Sequence, residues 1–274
     1  MASPVLVTGG TGRLGKLVVS RLQDAGCDVR VLARHDRPTP QGVTFFTADL
    51  RTGQGIEPAV TAAAGIIHCA TATRGDAEAT RNLVAAASRA GSAHLVYVSI
   101  VGVDRIASWG YPKAKLQSEQ IVAESGLPWT ILRVTQFYDY CLANARRLSR
   151  FPVAPVPAGF TVQPVDSRDV AGRLVELALG KPAGRAPDMA GPQVSSWADL
   201  LRGYLKATDR RRWVLPVLIP GTRAVRNGAL LPPPGHTVGS RTWDQFLNAG
   251  SEEVAAGQHV DKGNQRDQSE DGPH

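Results

Sequence analysis

Tyr111 and Lys115 lie four residues apart with Pro112 between them, a spacing that places both side chains on one face of a helix starting there. A tyrosine, with its ordinary pKa of about 10, needs a nearby cation to exchange a proton near neutrality. Lys115 supplies that cation, and Ser99, which closes a predicted strand, can hydrogen-bond a carbonyl oxygen. The three residues predict acid-base chemistry at a carbonyl group. The alternative is a tyrosine packed at a helix start and a lysine on a solvated face.

A glycine-rich segment separates the first predicted strand from the first predicted helix. Gly10, Gly12 and Gly15 satisfy the spacing G-x-G-x-x-G. Glycines allow close approach of the backbone, and the helix that follows offers free N–H groups and its positive dipole end to an anion. The segment therefore predicts a pyrophosphate site for a dinucleotide, against the alternative of a tight turn without a ligand. The predicted contacts are Gly9, Gly10, Thr11, Gly12, Arg13, Leu14 and Gly15.

The second predicted strand ends at Arg34, where proteins that bind NAD usually carry an acidic residue for the ribose 2′-hydroxyl. A guanidinium at this position can pair with a 2′-phosphate. Arg13 and Arg37 can assist, whereas Asp36 opposes the interpretation because it lies two residues away. The sequence favours NADP(H) over NAD(H), and the alternative is that Arg34 is an exposed loop residue.

Short apolar runs alternate with amphipathic stretches, which is typical of an α/β fold with a Rossmann-type, doubly wound parallel sheet. Residues 1–150 are predicted to form the dinucleotide-binding domain. Residues 151–250 are predicted to form a small C-terminal substrate lobe, entered through the proline-rich connection Phe151–Gly159. Residues 251–274 are predicted to be a disordered tail. The predicted strands are Val5–Thr8, Val29–Ala33, Val43–Thr47, Gly65–Ala70, Ala93–Ser99 and Trp129–Val134, and the predicted helices of the lobe are Ser167–Leu179, Ser195–Ala207 and Thr242–Asn248.

Composition narrows the class of protein. The net charge of +7 comes from scattered basic residues, so we expect no nucleic-acid partner. No apolar stretch approaches the length of a membrane helix, and we expect no membrane partner. The three cysteines lack paired or metal-type spacing, which predicts neither a disulfide nor a metal site and fits the cytoplasm. A monomer or homodimer that acts on a small-molecule carbonyl substrate is expected.

These motifs resemble the short-chain dehydrogenase/reductase superfamily, specifically its atypical NmrA-like branch of NAD(P)H-binding proteins. The resemblance covers most of residues 4–248. Besides the glycine segment and Tyr-x-x-x-Lys, it is carried by Ala48-Asp49-Leu50, Thr80-Arg81-Asn82-Leu83, Gly126–Arg133 and Val165–Val170. The chain departs from the branch at Asp76, in a helix position that often carries a catalytic asparagine.

The resemblance implies roles for further residues. Asp49 and Leu50 would border the adenine, and Ala70 and Thr71 would line the cofactor groove. The residues after Arg133 would meet the nicotinamide and the substrate; they are Val134, Thr135, Gln136, Phe137 and Tyr138. Core packing is the equally weighted alternative for the aromatic residues of this segment.

The sequence thus predicts an NADPH-dependent ketone or quinone reductase of ketoreductase type, with a small aromatic or hydrophobic substrate. Tyr111 would donate the proton, Lys115 would be its electrostatic partner, and Ser99 would anchor the carbonyl. Two alternatives stay open. The first is a redox sensor that binds NADP without catalysis, and the second is a nucleotide-sugar epimerase or dehydratase.

Overall fold

The computed structural model describes residues 4–35, 42–72, 75–91, 93–107 and 110–249. The predicted tail, residues 251–274, and Arg37 lie outside the described residues. Within the described part, no helix combines the length and apolar character needed to cross a membrane.

A parallel sheet forms the centre of the molecule. Its strands follow the order β3-β2-β1-β4-β5-β6-β10-β13, and β9 also pairs with β6. The chain reverses its direction of travel across the sheet between β1 and β4, as in a Rossmann fold. The prediction of a doubly wound sheet is confirmed. The strands are β1 Val5–Thr8, β2 Val29–Ala33, β3 Val43–Thr47, β4 Gly65–His68, β5 His94–Ile100, β6 Trp129–Val134, β7 Val153–Pro157, β8 Thr161–Val162, β9 Gly184–Arg185, β10 Met189–Ala190, β11 Ser195–Ser196, β12 Trp213–Val217 and β13 Thr237–Val238.

Helices cover both faces of this sheet. Apolar residues of α1 and α6 pack on one face, and those of α2 and α3 pack on the other face together with Val122 of α4. Burial of these apolar side chains is the main contribution to the stability of such layered folds. The helices are α1 Arg13–Asp24, α2 Ile56–Val60, α3 Asp76–Arg89, α4 Gly110–Ala123, α5 Tyr138–Leu148, α6 Ser167–Leu179, α7 Trp197–Ala207 and α8 Arg223–Arg226. Residues 243–249 form a last helix.

The C-terminal residues divide between two places. Strands β9, β10 and β13 extend the central sheet, and helix α6 packs against it. A separate apolar core is formed by α5, β7, α7 and the last helix. The division at residue 150 stays a prediction. The proline-rich segment is more than a connection, because β7 within it pairs in parallel with β12. Proline lacks a backbone N–H, and such strands are confined to the edges of sheets.

Several element ends differ from the prediction by one or two residues. Strand β4 ends at His68, so Ala70 lies in the loop that follows, and β5 continues to Ile100. Helix α7 begins at Trp197 because Ser196 pairs with β8 and its hydroxyl caps the helix, accepting the Asp199 N–H at 3.1 Å.

Candidate active site

A cleft of about 680 Å³ runs along the carboxyl ends of the central strands. In doubly wound sheets the ligand lies at this edge, where the chain order reverses. The predicted residues that line the cleft are Gly9, Thr11, Gly12, Arg13, Leu14, Gly15, Arg34, Asp49, Leu50, Ala70, Thr71, Ser99, Tyr111, Lys115, Val134 and Phe137. Candidate cofactor and catalytic residues therefore share one cavity.

The glycine segment is shaped by close backbone contacts. Gly9 adopts a positive φ of +69°, and a Cβ there would lie 2.7 Å from the backbone nitrogen of Ala70. A Cβ at Gly15 would lie 2.1 Å from the Gly9 carbonyl oxygen. Gly12 caps α1 without a side chain, so no side-chain cap occupies the first N–H groups of the helix. This segment fits the pyrophosphate of a dinucleotide, which binds at free N–H groups.

Ser99 lies near the end of β5 and is buried, and its Oγ has no hydrogen-bond partner in the described protein. A buried hydroxyl without a partner costs free energy, which a ligand oxygen in the cleft would recover. The position of Ser99 fits the anchoring of a carbonyl oxygen. Its role remains a prediction.

Lys115 is buried on α4, one turn after Tyr111. Its Nζ donates to the Tyr97 hydroxyl at 3.1 Å and to the Val98 carbonyl at 3.2 Å, and it pairs with Asp76 Oδ2 at 3.4 Å. Burial alone lowers the pKa of this ammonium. Tyr97 and Asp76 outweigh burial, and the net pKa of Lys115 is raised above its ordinary value. These partners favour the charged form of Lys115, which lines the cleft.

Tyr111 occupies the first turn of α4 and is about one third exposed. Its hydroxyl lies 3.3 Å from Thr71 Oγ1, and the Lys115 Nζ lies 6.0 Å from the centre of its ring. Lys115 thus acts on Tyr111 through space rather than through a direct hydrogen bond. The hydroxyl faces the same cleft as Ser99.

Two residues around Lys115 were not predicted as site residues. Tyr97 is buried, and burial raises the pKa of its hydroxyl to about 12. Asp76 holds the start of α3 by accepting the backbone N–H of Ala72 at 3.0 Å. Tyr97 had a usable signal, since it precedes Ser99 by two residues and so shares its face of the strand. For Asp76 the family resemblance marked the position, but its contact with Lys115 could not be read from the sequence, because the two lie 39 residues apart.

Helix α4 is fixed to the sheet by a buried ion pair. Arg133 of β6 donates to both carboxylate oxygens of Glu119, at 2.9 and 2.8 Å. Glu119 is buried and also pairs with Arg185 at 3.2 Å. A bidentate pair is geometrically specific. It therefore sets the position of the helix that carries Tyr111 and Lys115.

Four predicted site residues do not line the cleft. A Cβ on Gly10 would lie 2.8 Å from the Val31 side chain, so Gly10 serves close packing against β2. The Thr135 hydroxyl is buried and donates to the Gln163 carbonyl at 2.6 Å. Tyr138 packs in the C-terminal core, where its hydroxyl donates to the Arg241 carbonyl. The fourth residue, Gln136, is partly buried beside them.

The Asp76–Lys115 pair yields a prediction about stability. Asp76→Asn keeps the side-chain size but removes the buried counter-charge of Lys115. Removing one partner of a buried pair costs about 3–5 kcal/mol. We expect a loss of that size in the free energy of unfolding, measured by urea denaturation with an unchanged dependence on urea concentration.

The matched control is Asp199→Asn. Asp199 pairs with Arg202 at 3.0 Å, but both side chains are more than half exposed. Exposed pairs contribute at most about 1 kcal/mol. If Asp76→Asn and Asp199→Asn lost the same free energy of unfolding, burial would not increase the contribution of the Asp76–Lys115 pair.

Comparison with known proteins identifies the family of this chain. A profile of the NAD(P)H-binding family matches residues 9–179. Uncharacterized proteins of Mycobacterium tuberculosis and Mycobacterium bovis are 31% identical over 200 residues, which are 69% of this chain; the chain spans only 22% of their length. A (4-alkanoyl-5-oxo-2,5-dihydrofuran-3-yl)methyl phosphate reductase of Streptomyces griseus is 32% identical over 197 residues, 69% of this chain and 68% of that protein.

A solved structure supports the fold. The NADPH complex of an NADPH-dependent quinone oxidoreductase from Escherichia coli has a TM-score of 0.75 and is 20% identical, covering 89% of this chain and 99% of that one. The glycine segment, the strand order and the family match together indicate a nicotinamide cofactor. The chain belongs to the NAD(P)H-binding family.

Proposed function

We propose that this protein is an NADPH-dependent reductase that transfers hydride to the ketone or quinone carbonyl of a small aromatic or hydrophobic substrate. One observation carries the proposal: Ser99, Tyr111 and Lys115 line the cavity that contains the glycine segment. The nicotinamide, when bound, supplies the hydride. The residues of the chain bind the carbonyl and deliver the proton.

Each of the three residues has a distinct task. Ser99 Oγ donates to the carbonyl oxygen and orients it, since its hydroxyl has no other partner in the described protein. Tyr111 donates its phenolic proton to the oxygen as negative charge develops there. Lys115 stabilises the resulting phenolate by its positive charge. Its contacts with Tyr97 and Asp76 hold the ammonium group in position.

The lining of the cleft supports an apolar, flat substrate. Val134 ends β6 and Phe137 follows it. Tyr140 lies in the first turn of α5, with its ring edge-on to Trp197. Aromatic surfaces favour aromatic ligands through offset and edge-to-face contacts. The phosphate ester named for the Streptomyces relative extends the substrate classes that should be assayed.

A screen for NADPH oxidation tests this function. Aromatic ketones, quinones and an unsaturated lactone bearing a phosphate ester would be supplied in turn to the purified chain. Turnover with at least one carbonyl class, lost in Ser99→Ala, is the expected result. NADPH binding without turnover across the whole panel would contradict a reductase.

The sensor alternative is favoured by one observation. Asp76 lies 3.4 Å from the Lys115 ammonium and neutralises part of its charge, which weakens its effect on Tyr111. A protein that binds NADP without catalysis does not need the Lys115 charge to act on Tyr111. In that case NADPH and NADP⁺ would bind tightly, and Ser99→Ala and Tyr111→Phe would change nothing beyond stability.

The preference for NADPH rests on Arg34, which is exposed at the end of β2 and lines the cleft. A charge-assisted hydrogen bond to the 2′-phosphate contributes about 1.5–3 kcal/mol, so NADPH should bind about ten- to a hundredfold more tightly than NADH. Arg34→Ala should abolish most of this preference and leave NADH affinity nearly unchanged. Calorimetric titration of both cofactors measures it.

Arg21→Ala is the control, because this exposed arginine of α1 does not line the cleft. It removes the same charge without touching the cleft and should retain the preference. Equal affinities of the wild type for both cofactors, or an Arg34→Ala variant that keeps the whole preference, would refute the assignment.

A further inference from the structure

The two-stranded sheet of β7 and β12 exposes an apolar face. Its inner face packs into the C-terminal core through Ala154 and Val156, which are buried. The residues that alternate with them point outward and are apolar throughout; they are Val153, Pro155, Trp213, Leu215 and Val217. Within the described part of the chain, these side chains remain largely exposed. Soluble monomers rarely leave a contiguous apolar surface of this kind without a function.

The apolar face continues at both ends of the strands. Phe151 precedes β7, and Leu218 and Ile219 follow β12, all exposed. Trp213 is 81% exposed and Leu218 is 68% exposed, which are the two largest fractions among the exposed large hydrophobic side chains. We call this whole surface, with the five outward residues above, the β7–β12 face.

The chain on either side of β7 and β12 is rich in arginine. The flanking segments, residues 145–160 and 210–226, contain no acidic residue. They contain eight arginines, one more than the formal net charge of +7 for the entire chain. The arginines are Arg146, Arg147, Arg150, Arg210, Arg211, Arg212, Arg223 and Arg226. The excess positive charge of the protein is therefore concentrated in the two segments that contain β7 and β12.

A shallow pocket adjoins one edge of the face. Besides Leu205 and Val214, its lining consists of cationic side chains and one aromatic ring: Arg202, Lys206, Arg210, Arg211, Arg212 and Trp213. Arg212 is held by donating to the Ser149 carbonyl at 2.9 Å. Such a pocket fits an anionic group next to an apolar chain, the combination that a phospholipid presents.

Charge and shape distinguish three occupants of this surface. A second copy of the chain would bring Arg210, Arg211 and Arg212 of both copies together, which is repulsive. Single-stranded nucleic acid binds basic grooves through stacked aromatic rings, but the outward residues of the two strands are aliphatic apart from Trp213. An anionic bilayer supplies both negative headgroups and an apolar layer, and interfacial tryptophan and arginine suit it.

We propose that the β7–β12 face docks the protein on the surface of an anionic membrane, with Trp213 and Leu218 entering the interface and the arginines of the adjoining pocket binding lipid headgroups. This is attachment to one leaflet without a membrane-spanning helix. It departs from the sequence-based expectation of no membrane partner. The sequence did not indicate a single basic and apolar surface, because β7 and β12 are 60 residues apart and meet only in the fold.

Vesicle sedimentation tests the proposal with the full chain. We expect binding to vesicles of equal parts phosphatidylcholine and phosphatidylglycerol to exceed binding to phosphatidylcholine alone by about tenfold or more, and to fall as salt is raised. A blue shift of tryptophan emission on binding, absent in Trp213→Ala, should report entry of that ring into the interface.

Two variants and one control separate the contributions. The triple variant Arg210→Gln, Arg211→Gln, Arg212→Gln should lose about tenfold or more of its vesicle affinity. Arg212 also contacts the backbone, so its replacement changes more than the charge. The second variant, Trp213→Ala with Leu218→Ala, keeps every arginine and should also lose vesicle binding. The control Arg21→Gln, Arg81→Gln, Lys181→Gln removes the same charge from exposed positions elsewhere and should bind as the wild type does.

Any of four results would overturn the proposal. They are equal binding to neutral and anionic vesicles, full binding by both variants, an equal loss in the control triple, and no vesicle binding by a chain that instead self-associates or binds an oligonucleotide. Melting temperature and NADPH affinity, measured on each variant, establish that the proteins are folded.

Discussion

Replacing Tyr111 with phenylalanine should lower turnover about a hundredfold or more while leaving NADPH affinity nearly intact. The residue that loses its hydroxyl lines the cleft and lies in the first turn of α4. General acid catalysis by a positioned side chain contributes about 10²–10⁴-fold. Single-turnover kinetics with saturating NADPH isolate the chemical step, and cofactor titration measures affinity separately.

Tyr204→Phe is the matched control, since it removes the same hydroxyl from a tyrosine of α7 outside the cleft. Its turnover should stay within about threefold of the wild type, because surface or core hydroxyls away from the reaction affect stability rather than chemistry. If Tyr111→Phe turned over at the wild-type rate, the proton would have to come from water or from the substrate itself.

Gly15→Ala should weaken NADPH binding about a hundredfold or more. The added Cβ would lie 2.1 Å from the Gly9 carbonyl oxygen and 2.7 Å from the Gly10 Cα, so the start of α1 must move away from the loop. Each hydrogen bond to a charged pyrophosphate contributes about 1.5–3 kcal/mol, and losing two accounts for this effect. Calorimetric titration with NADPH measures it.

Gly172→Ala tests whether the effect is specific. Gly172 is also a helical glycine, but a Cβ there meets nothing within 4 Å. Alanine in a helix interior is more stable than glycine by about 0.5–1 kcal/mol, so this variant should melt slightly higher and bind NADPH normally. Retention of affinity within about threefold in Gly15→Ala would mean that the loop does not carry the pyrophosphate.

The central sheet was predictable because its signals are local. Val5–Thr8, Val29–Ala33, Val43–Thr47 and Trp129–Val134 match the observed strands at both ends, since each is a short apolar run bounded by turn residues. The glycine segment was equally local, because three glycines at fixed spacing between a strand and a helix have few other uses.

The C-terminal helices were also predictable, and Ser167–Leu179 matches at both ends. Which surfaces they and the strands pack against depends on contacts between distant residues, and no local pattern encodes that. Tyr138 was predicted at the substrate pocket, but Trp243 and Phe246, more than 100 residues later, turn its ring into the core. Helical periodicity shows which residues share a face and cannot show what covers that face. The pairing of β7 with β12 was missed for the same reason, since prolines in Val153–Pro157 weaken the strand signal.

The surroundings of Lys115 limit how a proton can travel. An ammonium group has three hydrogens, and here three acceptors face it: the Tyr97 hydroxyl, the Val98 carbonyl and the Asp76 carboxylate. No hydrogen is left to pass onward, so Lys115 cannot belong to a relay without giving up a partner. In the proposed reaction, the proton that Tyr111 loses must therefore be replaced from bulk water, to which its ring is partly open. The lysine would act only through its charge, and the solvent would restore the proton after each turnover.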